Sequence, residues 1–421
     1  MLFTIALSVI STLIIGTVVL NLRRPEKEER HRVERLYQTR SPQFKREMGV
    51  LLGPAIVPGN RIRALQNGDE IFPAMLEAIG AAQRTITFET YIYWSGQIAE
   101  RIGEALIERS CAGVHVYVML DFVGCDRISH RLVERMQAAG IEVERYHSVR
   151  WYTLGRLNNR THRKVLIVDG RIGFTGGVGI ADQWLGHAQD SAHWRDMHFR
   201  LTGQVVAQMQ AAFLDNWIKT TGHVLHGDAY FPHIEPSGTQ EMQMFISSPE
   251  GGSDSMRLMY LTAITAAERS IDIEAAYFVP DRLMIRELVA ARRRNVRVRL
   301  IVPGGHIDSK VVGIASKQGW GPLLESGVEV YVYRPTMLHC KILIFDEYMV
   351  SVGSTNFDMR SFELNDEASL NVYDEEFARE MTAVFESDLE ASSRYTLEHW
   401  QNRSWRERLD EFVLVPLRSQ L

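Results

Sequence analysis

The chain has 421 residues, enough for two or three domains. Its 45% hydrophobic and 24% charged content is that of an ordinary globular protein, and a net charge of −5 excludes nucleic-acid binding through a broad cationic surface. Three cysteines, Cys111, Cys125 and Cys340, match no zinc-ligand spacing and read as free thiols in a reducing compartment.

In chain order, the first 22 residues, MLFTIALSVISTLIIGTVVLNL, carry no charged side chain. A helix of roughly 20 residues spans the ~30 Å hydrocarbon core of a bilayer, so this run predicts a transmembrane anchor. Arg23 and Arg24 follow the apolar run, the reverse of a cleaved signal peptide, which predicts an uncleaved anchor with the following chain in the cytoplasm. Residues 23–57 begin by mixing Arg with Glu and read as a solvated, partly helical juxtamembrane segment.

Residues 66–94 give a helical pattern and then a strand-like run, and residues 253–280 repeat it. Ala81-Ala82-Gln83-Arg84 matches Ala266-Ala267-Glu268-Arg269, and Glu89 matches Glu274. A further helix and strand follow in each copy, IGEALIERSCAGVHVYVMLD and MIRELVAARRRNVRVRLIVPG. The repeat covers about 160 residues per half, far longer than a solenoid unit, and alternating strands and helices predict α/β architecture in both copies. The halves are bounded at 58–222 and 241–421, with the Gly-, Pro- and polar-rich stretch 223–240 as linker.

Both halves carry the same sparse motif. Residues 162–169 read HRKVLIVD and residues 339–346 read HCKILIFD. Positions i and i+2 of a strand share a face, so His162 points with Lys164 and His339 with Lys341, while Cys340 points away from both and reads as core. The apolar runs VLIV and ILIF suit strands buried on both faces. After Asp169 and Asp346 the parallel continues, with Gly176-Gly177 and Gly353-Ser354 at the same offset, and then Asp196 aligned with Glu367.

A buried Lys needs an anion. If the halves pack about a pseudo-twofold axis, two imidazoles and two ammonium groups meet in one cleft, which suits a phosphate. A neutral imidazole can attack phosphorus, and a protonated one can donate to the leaving alcohol. Lys164 and Lys341 can stabilise charge on the non-bridging oxygens. Phosphodiesters are inert enough that catalysis must supply about 20 kcal/mol, and a phosphohistidine divides the task in two. A metal site is a poorer fit, because Lys beside the ligands repels a cation.

On these motifs, and on the longer strings THRKVLIVDGRIGFTGG, WRDMHFRLTG, YFVPD, HIDSKVV, TMLHCK and GSTNFDMRSFELNDE, the chain resembles the phospholipase D superfamily. Within it the wording resembles the bacterial cardiolipin synthases, over roughly residues 58–420. The resemblance implies two pseudo-symmetric α/β/α domains behind the membrane helix, and phosphatidyl transfer without metal or cofactor. The expected reaction joins two phosphatidylglycerol molecules at the inner membrane of a bacterium, with phosphatidylethanolamine as an alternative to one of them. Water as acceptor would instead make a phospholipase D, and the acidic balance and the anchor oppose a nuclease of the same superfamily.

The resemblance also implies roles. His162 is the nucleophile and His339 the general acid, Lys164 and Lys341 bind phosphate, and Asp169 and Asp346 organise the motif farther from the phosphorus. Ser354 and Asn356 hydrogen-bond near the phosphate, with Gly177 supporting the other half, and Glu367 and its counterpart Asp196 fix a histidine tautomer. One departure stands out: Gly179 occupies the place where the family usually has Asn, as Asn356 does in the second half. Glu89 and Glu274 either line the cleft or are satisfied structural carboxylates. Tyr91, Tyr93 and Trp94 read first as core and second as lipid-lining aromatics. Arg360 serves a headgroup or pairs with Asp358, and the tail SWRERLDEFVLVPLRSQL is a packing helix or a lipid-contacting one.

Overall fold

The structure is a computed structural model that describes residues 37–146, 159–248 and 255–414, with positions 12, 16, 34 and 35 besides. The expected transmembrane run lies outside the described residues except for Thr12 and Gly16, as do most of the segment 23–36 and the end of the tail, 415–421. Among the described residues no helix is long and apolar enough to cross a membrane.

The first half contributes β1 (Val57–Gln66), β2 (Thr85–Thr90), β3 (His115–Asp121), β4 (Glu142–Tyr146), β5 (Arg160–Thr161), β6 (Val165–Val168), β7 (Ile172–Gly176) and β8 (Met197–Thr202). The second contributes β9 (Gln240–Ser247), β10 (Ser270–Ala275), β11 (Phe278–Val279), β12 (Arg297–Pro303), β13 (Glu329–Tyr333) and β14 (Lys341–Phe345). It continues with β15 (Met349–Gly353), β16 (Phe357–Asp358), β17 (Asn365–Tyr373) and β18 (Ser392–Tyr395). Sixteen of these strands form one sheet in the order β18-β13-β12-β10-β14-β15-β17-β9-β1-β8-β7-β6-β2-β3-β4, with β5 pairing to β17.

Outward from the β1–β9 junction the two flanks match strand for strand: β8 with β17, β7 with β15, β6 with β14, β2 with β10, β3 with β12 and β4 with β13. The sequence repeat is thus a pseudo-twofold axis through the sheet, and β18 is an added edge strand. Parallel pairs β2–β3–β4 and β10–β12–β13 need crossovers, which the helices Gln97–Cys111, His130–Ala138, Arg282–Arg293 and Lys310–Gln318 supply. With helices on both faces, the central strands are buried throughout, which explains their unbroken apolar runs.

A core between the halves contains residues of two long helices, Val205–Thr221 and Glu375–Glu390, and the rings of Phe199 and Phe377 meet across it at 6.1 Å. Separate cores lie under the outer helices of each half. Residues 223–239 carry no helix or strand.

Two short backbone bridges cross between the halves and set up the site. β5 runs parallel to β17, pairing Arg160 with Asn365 and Thr161 with Asp366, and Arg195 pairs likewise with Leu338. Each bridge ends one residue before a motif histidine.

Candidate active site

The His162 backbone N–H donates to the Asp366 carbonyl at 2.8 Å, and that of His339 donates to the Arg195 carbonyl at 2.7 Å. This register puts each imidazole beside the acidic residue of the opposite half. Nδ1 of His162 lies 2.9 and 3.0 Å from the two Glu367 carboxylate oxygens, and Nδ1 of His339 lies 2.7 Å from Asp196 Oδ2. An ionised carboxylate only accepts, so Nδ1 carries the hydrogen in both rings and Nε2 keeps the lone pair. Glu367 and Asp196 are equivalents in the repeat, and their service is crossed between the halves.

His162, Lys164, His339 and Asn356 line one cavity of about 250 Å³. Tyr91, Arg160, Tyr277, Asp308, Asp358, Arg360 and Asn365 complete most of its wall. Lys341 reaches it through His339: its Nζ sits 3.2 Å from both ring nitrogens and donates to the His339 carbonyl at 2.7 Å. Lys164 Nζ donates to the His162 carbonyl at 2.9 Å and lies 5.6 Å from the Tyr91 ring centre.

The carboxylates are held differently. Ser354 donates to Glu367 Oε2 at 2.5 Å, Asn365 approaches Oε1 at 3.3 Å, and Ser354 Oγ accepts from the Ala368 N–H at 3.0 Å. Ser354 therefore supports Glu367, the carboxylate that orients His162. In the first half the Trp184 indole N–H donates to Asp196 Oδ2 at 2.9 Å, and the Met197 N–H donates to Oδ1 at 2.8 Å. No hydroxyl is possible at Gly177, because a Cβ there would lie 2.2 Å from Asp196 Oδ1. Gly177 thus acts by admitting the carboxylate. At Gly179 a Cβ would lie 2.8 Å from Ile92 Cβ and 3.2 Å from the Trp184 ring, so the space of an Asn is taken by apolar packing.

Burial governs the charge states. It pushes His162 down to about 4, with Glu367 opposing and Lys164 adding to the shift. His339 is lowered by burial and then by Lys341. Lys164 is lowered to about 7, by burial first and the Lys341 charge second, and Lys341 is lowered by burial. Burial alone would raise Glu367 and Asp196, but the facing imidazole and ammonium groups outweigh it and hold both below the usual carboxylate range. The site is a desolvated pair of cations and neutral imidazoles, ready for an anion.

Asp169 and Asp346 stand elsewhere. Asp169 accepts from the N–H groups of Gln83, Arg84 and Thr85 at 2.7–2.9 Å, and Asp346 from those of Glu268, Arg269 and Ser270 at 2.6–3.1 Å. Both have left-handed backbone, with φ of 53° and 55°. They tie the motif turn to the start of β2 or β10 and are not among the residues that line the cavity. Glu89 and Glu274 are buried beneath the site, Glu89 accepting from Thr161 and from Asn216 at 2.7 Å.

Among the described residues, the ligand atoms of Glu274, Cys340 and Asp388 lie within 4.8 Å of one another, but the Arg195 guanidinium already pairs with Asp388 at 3.0 Å and supplies the cation there. Tyr93 is core, its hydroxyl donating to the Ala99 carbonyl, and the Trp94 indole donates to that of Gly124. Tyr91 alone of that group faces the cavity, its ring 4.9 Å from His162. Trp184 and Trp194, both 5.4 Å from the His339 ring, carry no motif signature and had no predicted role. Tyr277 and Asp308, within YFVPD and HIDSKVV, also line the cavity.

The comparisons bear on this geometry directly. A family model described as cardiolipin synthase, PLD-like domain, matches residues 75–217 and again 260–389, one match per half. The chain belongs to the cardiolipin synthase family of phospholipase D-like proteins. The cardiolipin synthase of Geobacillus thermodenitrificans is 34% identical over 352 residues, covering 83% of this chain and 70% of that protein. Cardiolipin synthase 2 of Bacillus cereus is 34% identical, covering 83% and 68%. The crystal structure of phosphatidylserine synthase from Haemophilus influenzae Rd KW20 shares the fold, with a TM-score of 0.67 at 13% identity over 90% of this chain and 100% of that one. Both motifs of the family lie within the matched segments, as do Asp196 and Glu367.

Proposed function

We propose that the chain is a cardiolipin synthase that moves the phosphatidyl group of one phosphatidylglycerol to the terminal hydroxyl of a second, giving cardiolipin and glycerol. The observation that carries this is the convergence of His162 and His339 on one cavity, each imidazole oriented by a carboxylate from the other half. His162 Nε2 attacks phosphorus while protonated His339 gives its proton to the departing glycerol oxygen. Neutral His339 then takes the proton of the acceptor hydroxyl, whose oxygen attacks phosphorus and breaks the P–N bond. Lys164, Lys341 and Asn356 meet the non-bridging oxygens.

An asymmetry between the two lysines supports this order of roles. Lys341 Nζ lies 3.2 Å from His339 Nε2, whereas the Lys164 ammonium bonds to the His162 carbonyl and leaves that ring free to attack. An incoming phosphodiester draws Lys341 toward itself and favours the protonated His339 that the leaving group needs. Phosphatidylethanolamine is the alternative to one of the two phosphatidylglycerol molecules. The two lobes, 58–222 and 241–421, act as paired phospholipase D-like domains. The apolar run 1–22 anchors them at the cytoplasmic face of the inner membrane, which raises the local concentration of lipid.

Purified full-length chain in phosphatidylglycerol vesicles should release glycerol and cardiolipin in equal amounts, read by lipid mass spectrometry. His162→Ala and His339→Ala should each lower the rate by about 10³-fold. Phosphatidic acid in place of cardiolipin would reassign the enzyme to hydrolysis, and no product from any phospholipid would end the reading.

A further inference from the structure

A second cavity, of about 400 Å³, adjoins the catalytic one. It lies at the C-terminal ends of the parallel strands β10, β12 and β13, the edge where open α/β sheets bind ligands. Its wall is largely apolar, including Phe278, Val302, Ile307, Ile314 and Trp320. Tyr277 and Val312 line both cavities, so the two meet there. Lys310, exposed at the start of the helix Lys310–Gln318, adds a cation to the wall.

The fold alone does not require this space. The first half has the matching elements: β3 for β12, and a helix capped by Ser129 for one capped by Ser309. There the loop after β3 is packed shut. Cys125 is fully buried, Gly124 accepts from the Trp94 indole at 2.9 Å, and a Cβ on Gly124 would lie 2.0 Å from the Tyr91 carbonyl oxygen. In the second half the equivalent loop, Gly304–Ser309, contributes Gly304, Gly305 and Ile307 to the wall of the cavity.

We infer that this second cavity is an acyl-chain subsite: the lipid whose phosphate lies between the two histidines sends a fatty acyl chain over Val312 into it. An apolar hollow sharing a wall with a cationic phosphate site, and rimmed by a lysine, matches the two ends of an anionic phospholipid. The inference rests on reading the catalytic cavity as a phospholipid site, and the test separates the two.

Full-length protein is titrated with phosphatidylglycerol bearing brominated acyl chains, and tryptophan fluorescence is recorded alongside turnover. Trp320 lines the cavity, so bromine should quench a component of the emission that Trp320→Phe removes. Gly313→Leu, whose Cβ would start 3.3 Å from Ile307 Cδ1, and Ile307→Phe fill the space from the helix and from the loop. Each should abolish that quenching and raise KM for long-chain phosphatidylglycerol at least about tenfold, while dihexanoyl phosphatidylglycerol is turned over as by the unaltered chain. If long-chain lipid is turned over without quenching Trp320, or if both variants leave the preference for long chains unchanged, the subsite is refuted and the enzyme reading stands. Quenching without turnover supports the subsite and counts against the enzyme reading.

Discussion

At the scale of single residues, the two lysines are the costly feature. Each is buried, and each is stable as a cation only with an anion beside it. Burial and the neighbouring Lys341 ammonium push Lys164 down to about 7, so it gives up its proton as the pH rises through that value. A bound phosphodiester favours the charged form, and binding therefore takes up a proton once the pH exceeds about 7. The sign is definite: affinity is full below that point and falls as the pH rises, by up to about tenfold per unit for one proton. KM for phosphatidylglycerol in uncharged detergent should rise across pH 7–9, and Lys164→Met should flatten that rise while raising KM throughout. A KM that stays level in the unaltered enzyme would mean Lys164 holds its proton by other means. His162, pushed down to about 4, is neutral through the same range and contributes nothing to this slope.

At the scale of elements, the motif is a strand with a turn at each end, and the turns do different work. The Asp169 and Asp346 turns hold three N–H groups apiece and never reach the cavity. Asp169→Asn or Asp346→Asn should cost about 1.5–3 kcal/mol of stability, seen as a lower denaturation midpoint, while the folded fraction keeps its kcat. Loss of kcat with stability unchanged would return these residues to the chemistry. The glycine turn after β7 is the opposite case. Gly177→Ala forces Asp196 from its place and turns the His339 ring with it, so kcat should fall by on the order of 10²-fold with little change in the midpoint.

The sequence allowed the strands, the repeat and the motif faces to be read, because period-two alternation and a doubled pattern are local signals. It did not reveal that Ser354 serves Glu367 or that Trp184 serves Asp196. A serine two residues before Asn356 fits a phosphate contact equally well, and an isolated tryptophan has no spacing to betray it. The extra edge strand β18 was likewise silent, since four residues without alternation, SSRY, resemble a loop.

At the scale of the whole molecule, neither half contains a complete catalytic histidine. Glu367 belongs to the second half and orients His162; Asp196 belongs to the first and orients His339. The bridges responsible join residues about two hundred and about one hundred and forty positions apart, β5 to β17 and Arg195 to Leu338, which is why no local pattern announced the crossing. The consequence is a kinetic pairing across the pseudo-twofold axis. Glu367→Ala should behave as His162→Ala does, with attack slowed on the order of 10³-fold and no phosphohistidine trapped in a quenched reaction with radiolabelled lipid. Asp196→Ala should behave as His339→Ala: the adduct on His162 forms slowly, because leaving-group protonation is impaired, and then persists, because the acceptor hydroxyl lacks its base. If each carboxylate instead served the histidine of its own half, the two phenotypes would exchange, with Asp196→Ala abolishing the adduct and Glu367→Ala preserving it. The same quenched-flow measurement thus reads both the order of the histidines and the exchange of partners between halves.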